Sequence, residues 1–249
     1  MRKGVYILPN LFTTANLLCG FFSIISVFQE KFLHAALAIL VACVFDVMDG
    51  MVARVSRGSS RFGVEYDSLA DLVSFGVAPA VLAFSWALRP YGRFGWVAAF
   101  LFVVCGALRL ARFNVQSSDT KIKYFKGLPI PAAASMIALT ILLYLRLIET
   151  GWVKDIVILI AIYLLAFLMV SNVPYVSSKG LALSQVKPFS ILIFVVLTVV
   201  VIATEPIPVL FGIVFLYVLS GPVRMVIAWQ RKRIMRRMPV PDEDPLVKG

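Results

Sequence analysis

FDVMDGMVARVSRGSSRFGVEYDSLADLVSFG, residues 45–76, carries four aspartates, Asp46, Asp49, Asp67 and Asp71, between two long apolar runs. The first pair is spaced i, i+3 and the second i, i+4, so each pair occupies one face of a helix. Asp46 and Asp49 close one apolar run; Asp67 and Asp71 open the next. The link Arg57-Gly58-Ser59-Ser60 reads as a turn. A turn there folds the two helices antiparallel and sets both acidic pairs at the same end of the hairpin.

Four carboxylates that close repel one another when ionised, and the repulsion grows beside lipid. The cations within the stretch are Arg54, Arg57 and Arg61. One or two divalent metal ions would resolve the conflict. Ligation by oxygen alone favours Mg²⁺ or Mn²⁺ over zinc, which prefers imidazole and thiolate. The lone His34 is remote in topology. Small residues at Gly50 and Ala53 allow a bulky ligand close to the backbone. Arg54, one turn beyond Gly50, is placed to grip a phosphate, and Ser60 and Gly63 offer donors in the turn. Acidic residues in membrane spans mark function.

Outward from this stretch the chain is apolar almost throughout. Its 249 residues are 61% hydrophobic and only 15% charged, with a mean hydropathy of +0.93. A soluble domain carries about a quarter charged residues. Apolar runs at 8–28, 32–53, 67–88, 93–113, 129–148, 153–171, 187–203 and 206–228 read as eight transmembrane helices in an all-α polytopic protein. Residues 1–230 form one membrane domain. Residues 231–249 form a basic, then Pro-rich and acidic, disordered tail. The N-terminal MRKGVYILPN lacks a small-residue cleavage site and runs on into a retained first helix.

The net charge of +11 does not indicate nucleic acid, since no basic stretch interleaved with aromatic residues lies in a soluble segment. The lysines and arginines instead mark topology. With the N-terminus cytoplasmic, only Lys31, Arg89, Arg93, Arg146 and Lys154 fall outside. That bias puts both termini inside and the aspartates at the cytoplasmic face of the cell membrane. The basic QRKRIMRRMP adjoins the last span and suits an anionic lipid surface. Cys19, Cys43 and Cys105 lie in apolar runs without metal-ligand spacing and read as buried filler.

Asp46-x2-Asp49-Gly50-x2-Ala53-Arg54-x8-Gly63-x3-Asp67-x3-Asp71 resembles the signature of the CDP-alcohol phosphatidyltransferases at every fixed position. The resemblance implies that the four aspartates bind a two-metal centre and that Asp71 is also the general base. It further implies that Gly50, Arg54 and Ser60 contact the CDP moiety, with Asn10 and Thr13 of the first helix contributing there. PNLFTTANLLCGFFSI, DSLADLVSFGVAPA, RLARFNV, FKGLPIPAAA and SNVPYVSSKG look like the branch of that family that uses serine as acceptor. That branch implies CDP-diacylglycerol and L-serine as substrates, an eight-helix fold and a homodimer.

Serine has to be held by its carboxylate and ammonium. Arg109 and Arg112, followed by Asn114, and Lys126 before Gly127 provide a cationic pocket at the same end of the bundle. Basic residues are expected at cytoplasmic span ends in any case. Asn172 is a further polar candidate. A sibling transferase acting on glycerol 3-phosphate or inositol phosphate, and more remotely a cation transporter, are the competing readings. A transporter would set its acids near mid-membrane on broken helices.

Overall fold

The computed structural model describes residues 7–56, 61–117, 125–148, 155–175 and 204–235. Helix α1 (Ile7–Phe28) and α2 (Phe32–Ser56) form an antiparallel hairpin. The turn between them is closed by Glu30 at φ 58°, with the Lys31 amide donating to the Ser26 carbonyl at 2.9 Å. This wrap satisfies carbonyls that the helix end would leave open. Small side chains let the pair close: Ala35, Ala36 and Ala42 are buried, and the Ser23 hydroxyl donates to the Ala35 carbonyl at 2.9 Å.

The third span is not a uniform helix. It runs from α3 (Arg61–Asp71) through a π-helical segment, Leu72–Val77, into α4 (Ala78–Ala83), then a second π segment, Phe84–Leu88, and a 3₁₀ turn, Arg89–Tyr91. Wide turns of this kind are frequent at functional sites. Helix α5 (Arg93–Ser117) returns, followed by α6 (Ile130–Ile148), α7 (Ile156–Val170) and α8 (Pro206–Met235). The core lies where the third span meets α2, α5 and α6, around Phe75, Leu82, Trp86, Phe102 and Leu139. Leu18, Phe21, Phe100, Leu164 and Phe167 instead face outward. Large apolar side chains on the outer face are what a bilayer requires.

Among the described residues, six helices are long and apolar enough to cross a membrane: Asn10–Phe28, Phe32–Val52, Phe62–Tyr91, Arg93–Val115, Ile130–Leu147 and Pro206–Val226. The expected span at 153–171 is a helix of only 15 residues, or about 22 Å at 1.5 Å per residue. The expected span at 187–203 lies outside the described residues. The third span begins well before residue 67, so Asp67 and Asp71 sit within a helix rather than at its start. Helix α8 continues to Met235, past the boundary expected at residue 230. Residues 236–249 of the expected tail lie outside the described residues.

The all-helical reading needs one amendment. Phe125–Lys126 (β1) pairs antiparallel with Pro174–Tyr175 (β2). Gly127 follows at φ 91°, and a Cβ there would lie 2.2 Å from the Met169 carbonyl oxygen. Only glycine fits both the left-handed backbone and the contact. The Gly127 amide donates to the Val173 carbonyl at 2.9 Å, so the entry to α6 is tied to the exit of α7.

Candidate active site

The hairpin of α2 and α3 does what its spacing dictates. One oxygen from each of Asp46, Asp67 and Asp71 lies within 4.8 Å of the others. Asp49 flanks the group, its carboxyl at hydrogen-bond distance from that of Asp67. Asp49 and Asp71 are only 7% and 8% exposed; Asp46 and Asp67 are half-buried. The predicted cluster is therefore assembled, with Asp49 displaced toward α1.

Two unit charges about 4 Å apart repel by about 4 kcal/mol at an effective dielectric of about 20. Three such contacts exceed what a marginally stable fold tolerates without countercharge. Among the described residues no arginine or lysine lies within 4.0 Å of any of the four; the ion pair found, Arg146 with Glu205, is exposed. The Asp67 Oδ1 atom is buried without a hydrogen-bond partner. A buried, unpartnered carboxylate oxygen beside two others is the donor set of a hard divalent cation, so these residues fit the metal that the sequence implied.

Helix α1 supplies the neutral donors. The Thr13 hydroxyl donates to Asp49 Oδ2. One turn on, Asn16 Nδ2 donates to Asp71 Oδ1 at 3.0 Å. The Ser74 hydroxyl, in the first π turn, donates to the Asn16 carbonyl at 2.9 Å. Thr14 and Tyr66 bond through their hydroxyls at 3.0 Å. The approach of α1 to the third span is set at Gly20, where a Cβ would fall 2.6 Å from the Ser74 Cα. Backbone at that distance has to move. Gly20→Ala is expected to lower the detergent-solubilised Tm and cost about 1–3 kcal/mol, as overpacking does. A thermal melt equal to wild type would show that the helices are not in contact there.

Arg109 on α5 points into the site. Its guanidinium lies within electrostatic range of Asp46, Asp71 and Tyr217 of α8 and sits 5.8 Å from the centre of the Phe113 ring. Arg112 does not share that pocket. Its guanidinium donates to Asn172 Oδ1 at 2.6 Å and reaches the Val170 carbonyl at 3.4 Å, tying α5 to the end of α7. Asn114 Nδ2 donates to the Ser68 hydroxyl at 3.0 Å, joining α5 to α3. Both residues, singled out as serine contacts, are thus engaged in holding the helices around the cluster.

Among the expected CDP contacts, Thr13 bonds Asp49, and the Asn10 carbonyl accepts from the Thr14 hydroxyl at 2.7 Å. Gly50 lies in α2 one residue after Asp49, and Gly63 lies in the first turn of α3. Ser60 lies outside the described residues. Arg54 belongs to α2 and Lys126 to β1, but their side chains are likewise outside the described set. Asn16 and Ser74 were missed by the sequence reading; the signal available was a polar residue one helical turn after Thr13, on the same face of α1. A cavity of about 890 Å³ among α6, α7 and α8 is lined by residues such as Ile137, Leu165, Phe211 and Pro222 and by none of the four aspartates.

Comparison with known proteins identifies the chain's family. Residues 6–170 match the model of the CDP-alcohol phosphatidyltransferase family. The chain is 36% identical over 220 residues to a CDP-diacylglycerol–serine O-phosphatidyltransferase of Helicobacter pylori, covering 88% of this chain and 91% of that one. A Bacillus subtilis protein of the same description is 36% identical over 168 residues, covering 68% and 89%. One from Saccharomyces cerevisiae is 41% identical over 144 residues, covering 52% and 51%. With two thirds of its length matched and the acidic hairpin assembled, the chain belongs to the CDP-alcohol phosphatidyltransferase family.

Proposed function

We propose that this multi-pass membrane enzyme transfers the phosphatidyl group of CDP-diacylglycerol to the hydroxyl of L-serine, giving phosphatidylserine and CMP. The convergence of Asp46, Asp67 and Asp71 at one end of the bundle carries the proposal, and the relatives' shared activity supports serine as acceptor. Asp46, Asp67 and Asp71, with Asp49 beside them, would hold Mg²⁺ or Mn²⁺, as one or two ions. A bound divalent cation supplies neutralisation of diphosphate charge as it develops toward the leaving CMP.

The chain's own residues do the rest. The cluster lies inside the α2–α3 hairpin, in the half nearer its connecting turn, so the donor lipid keeps its acyl chains among apolar faces while its head group meets the carboxylates. Positive charge on the flanking loops supports a cytoplasmic position for this end, at the cell membrane. Asp71 accepts the proton of the serine hydroxyl. The serine oxygen forms a bond to the lipid-linked phosphorus, the bond from that phosphorus to the CMP oxygen breaks, and CMP leaves with the electron pair. Gly50 and Gly63 allow the nucleotide near the backbone, where Arg54, Ser60, Asn10 and Thr13 serve it.

Arg109 receives the serine carboxylate, since its charge acts directly on Asp46 and Asp71. Asn114 and Arg112 hold the helices that frame this pocket, and Lys126, on β1, is a further candidate for the serine carboxylate. Arg109→Ala is expected to raise the serine KM by about 10–100-fold, the loss of a charge-assisted hydrogen bond, with a smaller change in kcat. An unchanged serine KM would return Arg109 to the role of a topology signal.

The assay that decides the function uses purified protein, CDP-diacylglycerol and Mn²⁺ with serine, glycerol 3-phosphate or inositol phosphate in turn. CMP release is expected only with serine, alongside phosphatidylserine in the lipid fraction. Release that ignores serine and requires a phosphorylated acceptor would reassign the substrate. Metal uptake into proteoliposomes without CMP would replace the enzyme by a transporter.

A further inference from the structure

We infer that Asn16 is the positioning residue of Asp71, holding its carboxylate in the orientation that proton transfer from the acceptor requires; this rests on the reading of Asp71 as that proton's acceptor. Asn16 is fully buried, at 0% exposure. Its Nδ2 donates to Asp71 Oδ1 at 3.0 Å, which occupies one carboxylate oxygen and leaves the other for reaction or ligation. The Asn16 carbonyl accepts from the Ser74 hydroxyl at 2.9 Å. Ser74 stands three residues after Asp71 in the same helix, so the contacts close a ring: Asp71, Ser74, the Asn16 backbone, the Asn16 amide, and back to Asp71. A ring of this kind fixes the carboxylate's rotation as well as its position, since it is anchored from both its own helix and the facing one.

The remaining amide atom is what distinguishes positioning from packing. Asn16 Oδ1 is buried with no partner. Leaving a buried acceptor unsatisfied costs about 1–3 kcal/mol, a cost that leucine, of similar size, would avoid. A residue chosen to hold α1 against the third span would not carry that penalty. The attachment is in any case provided by Thr14 with Tyr66 and by the close crossing at Gly20. What the amide adds is a neutral donor aimed at the one carboxylate that has to accept a proton. Thr13 gives Asp49 a donor from the same face of α1, so one helix face serves both acidic pairs.

The test compares full-length wild type with Asn16→Leu, Asn16→Asp, Ser74→Ala and Asp71→Asn, each purified in detergent and assayed with CDP-diacylglycerol, serine and Mn²⁺. For Asn16→Leu, kcat is expected to fall about 10–100-fold, as for groups that orient a metal ligand, with both KM values within about threefold. Its Tm in metal-free buffer is expected to stay within a few degrees of wild type, because the penalty removed with Asn16 Oδ1 offsets the donor that Asp71 Oδ1 loses. Asn16→Asp, which keeps the shape and replaces the donor by a carboxylate, is expected to lose more activity than Asn16→Leu. Ser74→Ala, which removes only the outer link of the ring, is expected to show a smaller fall in kcat with the same unchanged KM values. A kcat for Asn16→Leu within twofold of wild type overturns the inference, as does a loss that tracks a lowered Tm or appears wholly in KM. If Asn16→Leu does not fold, an Asn16→Asp or Ser74→Ala enzyme with wild-type kcat overturns it equally. Undiminished turnover by Asp71→Asn would instead remove the role assigned to Asp71, and this inference with it.

Discussion

Serine-dependent CMP release by Asp71→Asn is expected to fall about 10²–10⁴-fold below wild type, the usual contribution of a positioned general base. The substitution keeps size and shape and removes one negative charge from a crowded group. The fold therefore survives: Asp71 lies within 4.8 Å of two other carboxylates, and deleting its charge relieves repulsion when no metal is present. The Tm of Asp71→Asn in metal-free buffer should match or exceed that of wild type. The combination is diagnostic, because a residue needed only for structure would lose stability and activity together. Turnover near the wild-type rate would show that the proton of the acceptor goes elsewhere.

Chelation should silence the enzyme as completely. EDTA treatment is expected to bring CMP formation to background, and Mn²⁺ or Mg²⁺ to restore it. The same cation should raise the Tm of the wild type, since a ligand at about 100 times its dissociation constant stabilises by about 2.7 kcal/mol. Asp67→Asn is expected to lose most of that thermal shift, because its buried oxygen, without a hydrogen-bond partner, is the clearest candidate ligand atom in the cluster. Full activity after exhaustive chelation, or a metal-induced shift undiminished in Asp67→Asn, would remove the metal from this site.

The acidic hairpin was legible because helical spacing is a local property. Four carboxylates at i, i+3 and i, i+4 on either side of a turn could converge in only one way, and α3 keeps regular α-helical phase as far as Asp71. What lies beyond Asp71 was not legible. LVSFGV, residues 72–77, carries no signal that distinguishes a π turn from an α turn, yet that segment carries Ser74 toward Asn16. Asn16 itself stood in view in PNLFTTANLL, but its direction depends on how α1 crosses a helix more than fifty residues away. Arg112 illustrates the opposite difficulty. A cation at a span end fits topology, substrate binding or helix bracing equally well in sequence, and only the distant Asn172 decides among them. Hydropathy located the six spans seen among the described residues, whereas the end of α8 was missed because basic residues continue a helix as readily as they leave one.

The order of the helices has a consequence for biogenesis. Asp46, Asp49, Asp67 and Asp71 all belong to the hairpin that is synthesised early, whereas Arg109 comes a full span later. A chain threading vectorially from the ribosome commits its acidic residues to the bilayer before that arginine exists. Until then the countercharge the nascent hairpin carries in its own sequence is Arg54, Arg57 and Arg61. Magnesium limitation is therefore expected to lower the yield of newly inserted protein as well as CMP formation, and pulse labelling of magnesium-limited cells would measure it; an unchanged yield would separate insertion from the metal site.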